Sequence, residues 1–197
     1  MALILTALPV VSKPVREFVA DLFVSLDGFA MGEHSGPFFG YGGPELDAWI
    51  ADNLDRPQVM VMGRVTYVAM APRTQDATDA AGARMNALPK IVFSNTLQSP
   101  LTWANTRIAS GDGVQSMTAL KNETGDTLRS IGSMTLVGAV LRAGLVDRLR
   151  LMIFPLILGA AGREPISAFF DETHFAAVTT RVLDGRLNLV ELQPRPS

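Results

Sequence analysis

The chain contains no cysteine. Disulfides, thiolate nucleophiles and cysteine-based metal sites are therefore excluded. Histidine is nearly absent too. His34 and His174 are the only two, far apart in sequence, so a His-rich metal site is not expected. Charged residues make up only 18% against 48% hydrophobic, which rules out a disordered or highly charged polymer. The formal net charge is −2, so no global field draws the chain to nucleic acid or to an anionic membrane. Any anion site must be local. No apolar run is long enough to span a bilayer. The opening "MALILTALPVVSKP" is apolar but has no basic stretch of the kind that starts a secretory leader. Residues 1–15 are expected to be an extension, either an arm packed on a neighbouring subunit or a poorly ordered tail. A cytoplasmic home is the default.

What is present is a well-punctuated pattern of short apolar runs. At 197 residues one domain is expected, spanning 16–197, with roughly two-thirds or more of the unfolded surface buried. "REFVADLFVSLDGFAMG" begins with a strand at about 17–24 and breaks at Asp27-Gly28. The Gly-rich stretch 32–43 is too polar for a core element and reads as a long loop lying over something. "PELDAWIADNL" is helical, with Leu46, Trp49, Ile50 and Leu54 on one face. "QVMVMG" is a buried strand, residues 64–71 start a second helix, and "ATDAAGARMNAL" is a third. "KIVFSNTL" is another strand. "GVQSMTALKNETG" is a helix with Asp112 as N-cap and Gly125 as stop. "TLRSIGS" is a weak strand, and "SMTLVGAVLRAG" a strong helix ended by Gly144. From residue 145 the period falls to two, and Asp184-Gly185 marks a hairpin. This order predicts an α/β fold with a mainly parallel sheet and an antiparallel C-terminal edge.

The chemistry is concentrated where strands end. In "VMVMGRVTYVAM" an apolar run stops at Gly63, Arg64 and Thr66 and then resumes. Gly63 admits close backbone approach, the following helix offers free N–H groups, and Arg64 adds a cation suited to phosphate. The same stretch would also serve a plain helix start with a surface arginine. "SIGSMTLV" repeats the arrangement through Gly132, Ser133 and Thr135, where a simple serine N-cap is the alternative. It is not a GxGxxG fingerprint. A third strand end offers Ser94, Asn95 and Thr96. Three such ends in order point to one ligand-binding edge of an open sheet.

The runs "VSLDGFA", "VMGRVTY", "IVFSNT" and "IGSMTLVGAVLRAGLVDRLRLMIFPLILG" together resemble the dihydrofolate-reductase-like superfamily. The chain is most similar to the branch holding the reductase domain of bacterial riboflavin biosynthesis and its stand-alone relatives. The resemblance covers about residues 16–193 and implies a three-layer α/β/α fold. It also implies an NADPH site. Gly63, Arg64, Val65 and Thr66 would hold the diphosphate or 2′-phosphate side. Ser94, Asn95 and Thr96 would sit near the adenosine ribose. Gly132, Ser133, Met134, Thr135 and Leu136 would cradle the diphosphate, although the family often has Gly-Gly where this chain has Gly132-Ser133. The "SLDG" turn would lie beside the nicotinamide through Asp27, Phe29 and Ala30, and Asp27 and Phe29 would also meet substrate.

Helix 44–54 would form the other wall of the site through Trp49 and Ile50. Dihydrofolate reductases carry a proton-donating acid on that helix. Asp47 is the candidate by its distance from Gly63, whereas aligning on Trp49 puts Leu46 there. Asp27 and Asp47 are thus the two catalytic candidates, each with a bland alternative as a turn residue or an exposed first-turn acid. Arg148 and Arg150 would bind a substrate phosphate or pair across a dimer interface. The expected activity is NADPH-dependent reduction of a small pyrimidine- or pterin-like heterocycle, with riboflavin-pathway reduction as the best-known case and a homodimer as the assembly. A dihydrofolate reductase proper and a non-catalytic NADP sensor are the alternatives. No deaminase or zinc motif is attached, and the loop at 32–43 has no evident ribose-phosphate clamp.

Overall fold

A computed structural model describes residues 16–195. Residues 1–15, expected to form an extension, lie outside the described residues. The elements run β1 (Phe18–Ser25), β2 (Phe29–Gly32), α1 (Pro44–Leu54), β3 (Gln58–Gly63), α2 (Arg64–Thr74), α3 (Ala80–Ala87), β4 (Lys90–Phe93) and β5 (Thr106–Ala109). There follow α4 (Gly113–Asn122), β6 (Thr127–Ile131), α5 (Met134–Arg142), β7 (Arg148–Phe154), β8 (Gly162–Pro165), β9 (Phe175–Leu183) and β10 (Leu187–Pro194).

Eight strands form one sheet in the order β5-β4-β3-β6-β1-β7-β10-β9. The first six are mutually parallel, and β10 and β9 are antiparallel. This is the α/β/α architecture and the antiparallel edge that the sequence predicts. Alternate strand residues serve opposite faces. Phe18, Ala20, Leu22, Val61 and Ile91 meet Met117, Leu120, Val137 and Val140 of α4 and α5. On the other face Met60, Met62 and Val92 meet Tyr67 and Ala71 of α2, while Met152 and Phe154 meet Leu46 and Trp49 of α1. β1 and β3 are buried on both sides, hence their largely apolar character, whereas the equally central β6 carries the buried Arg129 and Ser130.

Asp184 and Gly185 both take positive φ, 51° and 65°, and turn β9 into β10 as a type I′ hairpin. The Asp184 carboxylate then accepts the amide hydrogens of Glu45 and Leu46, each at 3.0 Å. It caps α1 from the far end of the chain, because the preceding Gly43 has no side chain to do so.

Several expectations need correction. Residues 29–32 form β2, which pairs with β8 in a separate two-stranded sheet. The stretch after it is not merely a polar loop. Phe38 and Phe39 take left-handed backbone angles and drive their rings onto Phe154, at 6.3 Å and 5.3 Å. β5 was missed because "TRIA" is short and half polar. Helix α4 ends at Asn122, before Gly125. Strand β7 is parallel to β1, so only β9 and β10 are the antiparallel edge. Arg150 binds Asp21 within the chain, and Arg148 pairs with Glu17 and Glu191. Neither is a free phosphate ligand.

Candidate active site

The C-terminal ends of β3, β4, β5 and β6 lie side by side, since these strands are parallel neighbours. A cleft of about 510 Å³ opens along them. Gly63, Arg64, Val65 and Thr66 line one side, Ser94, Asn95 and Thr96 another, and Ser133, Met134, Thr135 and Leu136 a third. The three strand ends singled out in the sequence are therefore brought together. A fourth, Gly111-Asp112-Gly113 after β5, joins them. Its signal was the "GDG" itself, hidden because the strand before it went unrecognised.

The helix starts explain the cleft's polarity. α3 is capped by Asp79, α4 by Asp112 and α1 by Asp184. Among the described residues only α2 and α5 begin without a side-chain cap, and both begin on the cleft. Their first-turn N–H groups are left to a ligand, at the positive end of each helix dipole. Arg64, the first residue of α2, is exposed there and has no bonding partner among the described residues. Ser133 does not cap its own helix. It adopts φ 64° and turns its hydroxyl toward the other junction, where it accepts the Gly63 amide hydrogen at 2.5 Å and meets the Thr66 hydroxyl at 2.7 Å. Ser94 and Asn95 are also committed. Ser94 Oγ accepts from Thr96 N and Leu97 N, while Asn95 binds both backbone groups of Gly111.

The cleft continues into a neck of about 190 Å³ lined by Phe23, Ala30, Ile131 and Gly132, sharing Val65, Thr66, Ser133 and Met134 with it. Glu164 also lines both spaces. It is half-buried, holds φ 54°, and is the one carboxylate on the neck. Sequence reasoning missed it, because a four-residue strand with one strained glutamate carries no periodic signal. Beyond the neck, sharing Phe23 and Ile131, lies an apolar pocket of about 360 Å³ lined by Phe23, Phe38, Trp49, Ile50, Met70, Met85 and Arg129.

Trp49 and Ile50 line the apolar pocket, and Ala30 lines the neck. Phe29 does not line these spaces and packs against Gly162. Neither acid proposed as a catalyst faces them. Asp27 accepts hydrogen bonds from the Ser25 hydroxyl at 2.7 Å and from the amides of Leu158 and Gly159. The Ser25 bond foremost, with the two amides, holds its carboxyl below the usual range, which is opposite to what a proton donor needs. It is a loop clamp. Asp47 lies on the solvent face of α1, and Leu46 is the residue turned inward. Among the described residues no cluster of metal-ligating side chains is found, and no helix is long and apolar enough to cross a membrane.

Comparison with known proteins agrees with this fold. The profile of the RibD C-terminal domain matches residues 16–189. The Bacillus subtilis (strain 168) protein YyaP is 27% identical over 150 residues, covering 73% of this chain and 77% of that protein. A pyrimidine reductase-like protein from Corynebacterium diphtheriae shares the fold with a TM-score of 0.66 at 15% identity, covering 97% of this chain and 96% of that one. A dihydrofolate reductase from Enterococcus faecalis, complexed with NADP(H), shares it with a TM-score of 0.61 at 13% identity, covering 91% and 97%.

Proposed function

The chain belongs to the RibD C-terminal domain family, and from that premise we propose that it is an NADPH-dependent reductase of a small pyrimidine- or pterin-like heterocycle. The observation that carries this reading is the convergence of two uncapped helix N-termini and Arg64 on a cleft that leads through a neck to an apolar pocket. The residues fit the cofactor. The amides at the starts of α2 and α5 would take its diphosphate, and Arg64 a further phosphate. Bound there, NADPH supplies a hydride. Phe23, Ala30 and Ile131 would exclude water from the neck, and Trp49, Ile50 and Phe38 would position the substrate ring. On this reading the apolar run stops at Gly63-Arg64-Thr66 because the strand would end on a phosphate site.

The outward-facing Asp47 argues against a dihydrofolate reductase proper. A homodimer would fit the exposed edge strand β9, where Val178 and Val182 face solvent. The test is a fluorescence titration with NADPH and NADH, repeated for Arg64→Ala. The expected result is tighter NADPH than NADH binding and a loss of about tenfold or more for NADPH in the variant. Binding of neither cofactor would overturn the reductase reading.

A further inference from the structure

A buried charge cluster forms the back of the apolar pocket. Asp21 is 1% exposed and lies at its centre. Its carboxylate accepts from Arg129 Nε at 2.6 Å, and from Arg150 Nε at 2.5 Å and Nη2 at 2.9 Å. Arg150 also donates to Asn53 at 2.8 Å, whereas Arg129 reaches Gln58 only at 3.4 Å. Two guanidiniums thus share one carboxylate, and the bonded set keeps an excess positive charge. Arg129, 5% exposed, is the member that lines the pocket. Burial foremost pushes its guanidinium down, reinforced by Arg150 and Arg56 and opposed by Asp21. Arg73 stands at the pocket rim, exposed and without a bonding partner among the described residues. No aspartate or glutamate lines the pocket. Its largely apolar walls carry three aromatic rings, Phe23, Phe38 and Trp49, and both cluster arginines lie over Trp49, at 5.7 Å and 5.2 Å from the ring centroid.

An excess charge in an apolar setting is costly unless an opposite charge meets it. We propose that the pocket binds a flat heteroaromatic anion, its ring between Phe23, Phe38 and Trp49 and a carboxylate on that ring directed to Arg129, with Arg73 at the mouth. The same arrangement disfavours a cationic heterocycle, since none of the lining side chains could balance it. That this ligand is the substrate rests on the reductase reading. That the pocket selects an anion does not.

The experiment is calorimetric titration of the full chain with a pterin carboxylate, the matching pterin carboxamide and a diaminopyrimidine cation. Each is run with and without NADPH, after NADPH binding itself has been measured. The carboxylate should bind about tenfold or more tightly than the carboxamide, and the cation most weakly. That preference should shrink severalfold in Arg73→Gln, an exposed change that leaves the core untouched, and vanish in Arg129→Gln. Equal binding of acid and amide, tighter binding of the cation, or no binding of any of the three would overturn the proposal. NADPH binding without carboxylate preference would sink this inference and spare the cofactor reading. Carboxylate preference without NADPH binding would do the reverse.

Discussion

Ser133 Oγ lies 2.5 Å from the Gly63 amide nitrogen and 2.7 Å from Thr66 Oγ1, so one hydroxyl bridges the two strand-to-helix junctions of the cleft. It does so from a backbone at φ 64°, which an L-residue adopts at a cost of about 1 kcal/mol or more. Two opposing terms therefore meet at one residue. Ser133→Ala keeps the strain and loses the bridge, and should destabilise the chain by about 1 kcal/mol, or roughly 2–4 °C in Tm. Ser133→Gly loses the bridge but relieves the strain, and should return most of that loss. Thermal melts of the two variants against the parent decide the matter. Equal losses would show that the backbone is not strained here.

This residue also marks how far the sequence could be read. The expected serine stands at the expected turn, and the three strand ends converge as their order implied. The parallel body of the sheet, α1, α5 and the Asp184-Gly185 hairpin were legible because each rests on local periodicity or turn chemistry, whereas the direction of β7 was not. What was hidden depends on contacts across the chain. Nothing near Gly43 shows that Asp184 caps α1. Arg129 made β6 look like a weak strand, since the partners that make a buried arginine tolerable, Asp21 and Gln58, lie in β1 and β3. The acids were misjudged for the same reason. Asp27 is a good turn residue with a catalytic appearance, and only the position of residues 158 and 159 reveals its work.

Glu164 gives a second prediction. Its φ of 54° is strained, its side chain makes no hydrogen bond among the described residues, and it lines both cleft and neck. Strain retained without a structural return is expected at sites of function. Glu164→Gly should raise stability by up to about 1 kcal/mol while lowering NADPH-dependent turnover. Paired melts and rate measurements check both halves. A fall in Tm would mean that the glutamate stabilises the fold and would remove the argument for a functional role.

Lys90 predicts a pH dependence. Its ammonium is 1% exposed, donates to the carbonyls of Asn86, Leu88 and Ala104, and has no carboxylate partner. Burial pushes it down to about 8. An unfolded lysine titrates near 10.4. Between about pH 8 and 10.4 the unfolded chain thus binds more protons at this site than the folded one. Stability should rise with pH across that window, by up to about 3 kcal/mol. Below pH 8 both states are charged and the contribution is flat at its least favourable value. Lys90→Met should be less stable overall, with three carbonyls unpaired, and should lack this rise. Urea midpoints measured from pH 7 to 10.5 for both proteins supply the test, and parallel curves would contradict it.

The Asp21 cluster gives the last prediction, and it connects stability to the pocket. Asp21→Asn preserves volume but leaves the buried Arg129 and the partly buried Arg150 without a counter-charge. Breaking a buried pair in this way costs about 3–5 kcal/mol, far more than an exposed pair. The remedy differs from restoring the acid. Removing one of the two cations as well, in Asp21→Asn with Arg150→Met, should recover part of the loss, because the remaining Arg129 no longer faces a like charge. Arg148, exposed and paired with Glu17 and Glu191, is the control, and Arg148→Met should change stability by about 1 kcal/mol or less. Chemical denaturation of the parent, Asp21→Asn, Arg150→Met and the double variant forms a double-mutant cycle, with Arg148→Met as the reference. Arg150 and Arg129 both lie over Trp49, and Arg150 also holds Asn53 of the same helix. Loosening the cluster should therefore weaken ligands of the apolar pocket more than NADPH, whose expected cleft shares no residue with α1. A uniform loss of both would mean that the cluster supports the fold as a whole and has no particular hold on the pocket wall.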